Sequence, residues 1–216
     1  MARYRAVVFD LDGVLWDGEP IYHEAFNVVL KPYGHVVSSV EYEKIIGNSV
    51  EAAWGWVIKR FQLTEPPAMF YQAYNATVLE LLSHAVEPLP GAKETIARLK
   101  AIPVPVGVAS ASLRQWVDAT LLGIGLDSEI DATASASEVE HAKPAPDLYL
   151  LAAEKLGVPA RECVAVEDTR TGVRSAKAAG MYAVQVRAAS TALPPIDEAD
   201  AVIETYAEFD FSLFGG

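Results

Sequence analysis

Arg5-Ala6-Val7-Val8-Phe9 is a short apolar run, rich in β-branched residues and almost unbroken, as a strand covered on both faces of a parallel sheet should be. Runs of the same kind recur from Val104 to Ala109, from Cys163 to Val166 and from Tyr182 to Val186, each beside a segment of helical spacing. Strands alternating with helices predict an α/β fold built on a doubly wound parallel sheet. Pro103 and Pro105 fall at the head of the second run, because proline donates nothing to a ladder.

Between Asp17 and Pro88 the periodicity changes. Helical spacing runs through Ile21 to Leu30, a Ser38-to-Glu41 capping box leading into Ile45, Val50 to Phe61, and Met69 to Leu82, with no strand pattern among them. The expected organisation is an α/β core of residues 1–16 and 88–216, interrupted by a helical subdomain of residues 17–87. Pro88-Leu89-Pro90-Gly91 marks the return to the core as a stiff turn. Trp54 and Trp56, two apart on a helix, cannot share one face, so either one of them faces a partner surface or the cleft, or both are partly buried in packing between subdomains.

Composition narrows the chemistry. With 216 residues and 51% hydrophobic content the chain can bury a sizeable core. Its formal net charge of −12 repels nucleic acid and anionic lipid, and no Lys/Arg cluster locally reverses it. Neither is expected as a partner. An acidic enzyme acting on a phosphate ester must neutralise its own site with a cation and a few placed basic or donor groups. The single cysteine, Cys163, lies in an apolar run and reads as a small buried hydrophobe. The N-terminal stretch fits no targeting peptide, and no run of about 18 apolar residues occurs, so a cytoplasmic address is expected.

The strand ends carry the informative polar residues. Phe9-Asp10-Leu11-Asp12-Gly13-Val14 follows the first run, at the sheet edge where open α/β folds bind ligands. Two carboxylates two residues apart repel unless a cation or a shared proton offsets them, although a turn with two solvated aspartates would read the same way. Val166-Glu167-Asp168-Thr169 places a second acidic pair at the same edge. Together they make a hard, oxygen-rich site suited to Mg²⁺, while Asp168 or Thr169 could equally cap the following helix. Ser110 ends the second strand, and the amides after it, from Ala111 onward, could receive a phosphate at a helix start. Lys143, in Lys143-Pro144-Ala145-Pro146-Asp147, could offer a point charge from a stiff loop, or be an ordinary surface lysine.

The order and spacing of these four elements resemble the haloacid-dehalogenase-like hydrolase superfamily. The helical insertion resembles the small cap of its group containing phosphoglycolate phosphatases, sugar-phosphate phosphatases and β-phosphoglucomutase. The resemblance implies a Mg²⁺-dependent phosphatase acting on a small phosphorylated metabolite. Asp10 would be the nucleophile that becomes an aspartyl-phosphate, and Asp12 the general acid and then the base for water. Asp10, the main-chain carbonyl of Asp12 and Asp168 would hold Mg²⁺, with Glu167 as a direct or water-mediated ligand. Ser110, Ala111 and Lys143 would hold the phosphoryl oxygens, and Glu19, Gly47 and Asn48 of the cap would meet the rest of the substrate.

Two positions depart from the mutase pattern. The cap histidine of the mutase falls at Tyr22 and its phosphate-gripping arginine at Val50, and His23, one residue on, would point about 100° away on a helix. This favours transfer to water over transfer to a sugar. Beside the mutase stands a second alternative, a non-catalytic protein that keeps the fold for binding. The retained Asp10, Asp12, Lys143 and Asp168 argue against it.

Overall fold

In a computed structural model, which describes residues 3–84, 86–189 and 194–215, the chain divides into two compact units. One comprises Met1–Asp17 with Val86–Gly216, and the other Gly18–Ala85. The first boundary falls one residue later than the sequence suggests and the second two residues earlier. Trp16 forms a bridge with Pro88, the Leu89 amide donates to the Leu15 carbonyl at 2.8 Å, and the Val86 amide donates to Gly123 at 3.4 Å. Those bonds tie both chain crossings to the larger unit.

The described residues of the larger unit form a six-stranded, wholly parallel sheet. Its strands are β1 (Ala6–Phe9), β2 (Val106–Ser110), β3 (Ala132–Ser135), β4 (Cys163–Glu167), β5 (Tyr182–Val186) and β6 (Ala201–Ile203), in the order β3-β2-β1-β4-β5-β6. β1, β2 and β4 are buried along their whole length, which explains their unbroken apolar reading. β2 starts at Val106, because Pro105 lies outside the ladder and contributes only its carbonyl, to Val7. β3 and β6 were not foreseen. Ala-Thr-Ala-Ser is only partly buried and polar, and the three residues of β6 are too few to show a period.

The helices of the smaller unit are α1 (Glu19–Leu30), α2 (Ser39–Tyr42), α3 (Val50–Phe61) and α4 (Pro67–Leu82); those of the larger unit are α5 (Ala92–Ala101), α6 (Arg114–Gly123), α7 (Asp147–Leu156) and α8 (Arg170–Ala178). The Ser38–Glu41 capping box forms at the start of α2, but the helix runs only to Tyr42 before a series of turns. Trp54 is fully buried against Phe26, Phe70 and Tyr74 inside the smaller unit, whereas Trp56 is half-buried. In the larger unit α7 packs on β1, β2 and β3, and α8 on β4 and β5. Small side chains line that layer, among them Ala6, Ala109, Ala134, Ala152, Ala165 and Ala176, so helices approach the sheet closely around the one large polar-tipped side chain, Tyr149.

Candidate active site

β1 lies between β2 and β4, which is where the strand order reverses, so a crevice is expected beyond its carboxyl end. Register brings the site together there. Phe9 is level with Val108 on one side and Val166 on the other, which sets Asp10 beside Ala109 and Glu167. The Asp10 amide extends the ladder by donating to Val166 at 2.9 Å. The chain then turns sharply: the Leu11 carbonyl accepts from Leu15 at 2.9 Å, and the Gly13 amide donates to Trp16 at 2.8 Å. Gly13 makes this possible with a φ of +75° and by yielding room to Asp168, whose Oδ2 would lie 2.2 Å from a Cβ there.

Lys143 reaches into the centre from the loop before α7. Its ammonium donates to Asp10 Oδ1 at 2.6 Å, to Glu167 Oε1 at 2.5 Å and to the Ala109 carbonyl at 3.0 Å, and its side chain is only 7% exposed. A surface lysine is thereby excluded. Burial alone would pull this ammonium's pKa down, yet Asp10 and Glu167 together hold it above the usual lysine value. Burial likewise pushes the Asp10 carboxyl well above the carboxylate range; Lys143 draws it back, while Glu167 and Asp168 raise it further. Asp168 is pushed up to about 7, by burial first and then by Glu167.

Glu167 is fully buried and accepts from five donors: Lys143 and Tyr149 on Oε1, the latter at 2.9 Å, and the amides of Asp168 and Thr169 with the Thr169 hydroxyl on Oε2. Each of these hydrogen bonds is donated to it. Thr169, and not Asp168, caps α8, accepting from Gly172 at 3.1 Å. Ser110 is fully buried, and its hydroxyl accepts from the Ser112 amide at 3.1 Å. α6 begins only at Arg114, so Ser110 does not open a helix as the sequence suggested, and the Ser112 amide is turned back on Ser110. The Ser112 hydroxyl donates to Asp12 Oδ2 at 3.0 Å.

One carboxylate oxygen from each of Asp10, Glu167 and Asp168 lies within 4.8 Å of the others. Asp168 Oδ1 is buried and has no hydrogen-bond partner among the described residues. An orphaned oxygen on an aspartate whose carboxylate neighbours two further acids is the feature a hard divalent cation satisfies, so the residues fit Mg²⁺.

In the smaller unit Glu19 opens α1 and accepts from the Tyr42 hydroxyl at 2.6 Å. Gly47 and Asn48 lie exposed in the turns before α3, Gly47 with a φ of +77°. His23 donates to the Val37 carbonyl at 2.7 Å and stacks on Tyr42, and Val50 is the first residue of α3.

Residues 4–180 match the family model described as haloacid dehalogenase-like hydrolase. The chain belongs to this family. Among its relatives, fructose-1-phosphate phosphatase YqaB of Escherichia coli (strain K12) is 34% identical, over 86% of this chain and 97% of its own. Hexitol phosphatase B of the same organism is 32% identical, over 85% and 83%. CbbY from Rhodobacter sphaeroides, solved in complex with phosphate, superposes with a TM-score of 0.80 at 26% identity, covering 95% of this chain and 96% of its own. Family membership and phosphatase-named relatives make this haloacid dehalogenase-like chain a phosphoric monoester hydrolase. Among the described residues no helix is long and apolar enough to cross a membrane.

The sequence did not point to Tyr149 or Ser112 as parts of the site. Ser112 had a signal, the second hydroxyl of Ala109-Ser110-Ala111-Ser112. Tyr149 had none, because an aromatic residue on a core-facing helix reads as packing until its hydroxyl is seen on Glu167.

Proposed function

We propose that this chain hydrolyses small phosphomonoesters, sugar phosphates among them, in a Mg²⁺-dependent reaction that passes the phosphoryl group through Asp10. The observation that carries the reading is the buried Asp10 carboxylate, held at 2.6 Å by Lys143 beside the orphaned oxygen of Asp168. Asp10 attacks phosphorus while Asp12 gives a proton to the departing alcohol; Asp12 then takes a proton from the water that cleaves the aspartyl-phosphate. One carboxylate serves both halves because the first leaves it charged as the second requires. Lys143, the Ser110 hydroxyl and the Ala111 amide hold the phosphoryl oxygens.

Asp10, Asp168 and the main-chain carbonyl of Asp12 would hold Mg²⁺, and the ion would offset the charge on the phosphoryl oxygens. Glu167 is allotted to Lys143 rather than to the cation, since its five donors leave little capacity for a ligand bond. Selection among esters is assigned to Glu19, Gly47 and Asn48, as the family resemblance implies. A cytoplasmic address, where small phosphorylated metabolites are met, belongs to the same proposal.

The test is phosphate release from a panel of hexose, hexitol and aryl phosphates, with Mg²⁺ and with excess chelator. Release that depends on Mg²⁺ is expected. No release from any ester, or equal release in chelator, would overturn the reading.

A further inference from the structure

Tyr149 sits in the first turn of α7, six residues after Lys143, and is fully buried. Two of its contacts converge on the same ammonium. Its ring centroid lies 5.1 Å from Lys143 Nζ, and its hydroxyl donates to Glu167 Oε1, the oxygen that Lys143 also occupies. A buried phenol needs an acceptor, and the acceptor here is the counter-charge of the lysine.

We propose that Tyr149 is a positioning residue for the reaction above, dividing Glu167 Oε1 with Lys143 so that the ammonium stays directed at Asp10. The inference rests on the phosphatase reading. All three ammonium protons are committed, to Asp10, Glu167 and Ala109, and the contact to Glu167 is the shortest. With the hydroxyl in place, Oε1 shares its lone pairs between two donors. Without it, Oε1 has Lys143 alone and draws the ammonium away from Asp10, and small misplacements of a charged group at the reacting centre are costly. Tyr149 is fully buried and is assigned no contact with substrate.

Tyr149→Phe keeps the ring and its packing and removes only the hydroxyl. The expected result is a fall in kcat of about tenfold with KM nearly unchanged, alike for every ester, and weaker inhibition by orthovanadate in the same proportion. In a Lys143→Met background the same substitution should then have no further effect, because the residue acts only through the lysine. A loss under twofold in the single variant, or an equal loss in the Lys143→Met background, would overturn the proposal. Should the wild-type chain release phosphate from no ester, the phosphatase reading falls. The positioning of Lys143 is then read by calorimetric binding of orthovanadate with Mg²⁺. Weaker binding by Tyr149→Phe supports it, and equal or undetectable binding by both proteins overturns it.

Discussion

Gly13→Ala should separate what the first loop does for stability from what it does for chemistry. Gly13 has a φ of +75°, which costs an alanine about 1 kcal/mol or somewhat more. The added methyl would also lie 2.2 Å from Asp168 Oδ2 and 2.8 Å from its Cγ. Ordinary contact needs roughly 3.4 Å or more between such atoms, so one party must move by about 1 Å. The backbone of the loop is pinned by the Gly13–Trp16 and Leu15–Leu11 bonds, whereas the Asp168 carboxylate can turn about its side-chain bonds. Asp168 therefore gives way. The fold should lose only about 1–2 kcal/mol, a drop in Tm of roughly 2–8 °C for a chain of this size. The displaced carboxylate is a proposed Mg²⁺ ligand, and an ångström there should lower kcat on the order of 10²-fold and raise the Mg²⁺ needed for half-maximal rate at least about tenfold. Thermal melting together with a Mg²⁺ titration of initial rates measures both. A variant with wild-type kcat and wild-type Mg²⁺ dependence would refute the argument, whatever its Tm.

Asp10→Asn should lower turnover by several orders of magnitude with a Tm at or above that of wild type, since the amide neither attacks phosphorus nor carries a buried charge; a near-normal rate excludes Asp10 as nucleophile. Asp12→Ala should still accept a phosphoryl group from an aryl phosphate but hydrolyse it slowly, so that rapid quench shows phosphoprotein accumulating; normal steady-state turnover contradicts the role. In chelator, Asp168 with its pKa near 7 against about 3.9 unfolded binds a proton that the unfolded chain has released, so stability should fall as pH rises from about 4 to about 7, by up to about 4 kcal/mol. Because Mg²⁺ replaces that proton, the gain in Tm on adding it should be larger at pH 8 than at pH 5.5, and equal gains would count against Asp168 as a ligand. Asn48→Ala should change kcat/KM unequally among three dissimilar esters whereas Lys143→Ala depresses all alike, and uniform losses for both would remove Asn48 from substrate selection.

What could be read from the sequence follows from how each residue is used. β1, β4 and β5 announce themselves because burial on both faces demands apolar runs, and Asp10, Asp12, Glu167 and Asp168 because polar residues ending such runs have few structural uses. Lys143 had only an ambiguous local signal, a stiff loop that suits a surface lysine as well as a placed charge. Its place depends on a loop crossing to Asp10 from 133 residues away, and the resemblance of the whole set of motifs decided between the two. β3 was invisible because Ala132-Thr133-Ala134-Ser135 alternates small and hydroxyl side chains, and only Ala134 and Ser135 are buried. The exit of Ser110 into three further residues before α6 was misread because a hydroxyl ahead of a helix is also the pattern of a cap.

The charges in the site, counted by partner, explain why an acidic chain can be expected to bind an anionic ester. Lys143 is matched by Glu167, which is matched in turn by the amides at the start of α8 and by two hydroxyls, so that group is compensated without a cation. Asp10 shares the same ammonium, and Asp168 Oδ1 has no partner among the described residues. The site therefore carries carboxylate charge beyond what its single lysine offsets, and burial makes that excess expensive. Protons can relieve it, as the upward displacement of both aspartates indicates, but a protonated Asp10 is no nucleophile. A divalent cation relieves it while leaving Asp10 ionised, and it presents positive charge where the phosphoryl oxygens must lie. The surplus of acids is thus the feature that ties nucleophile activation to the metal, and Asp168, rather than Glu167, is where that coupling should be sought.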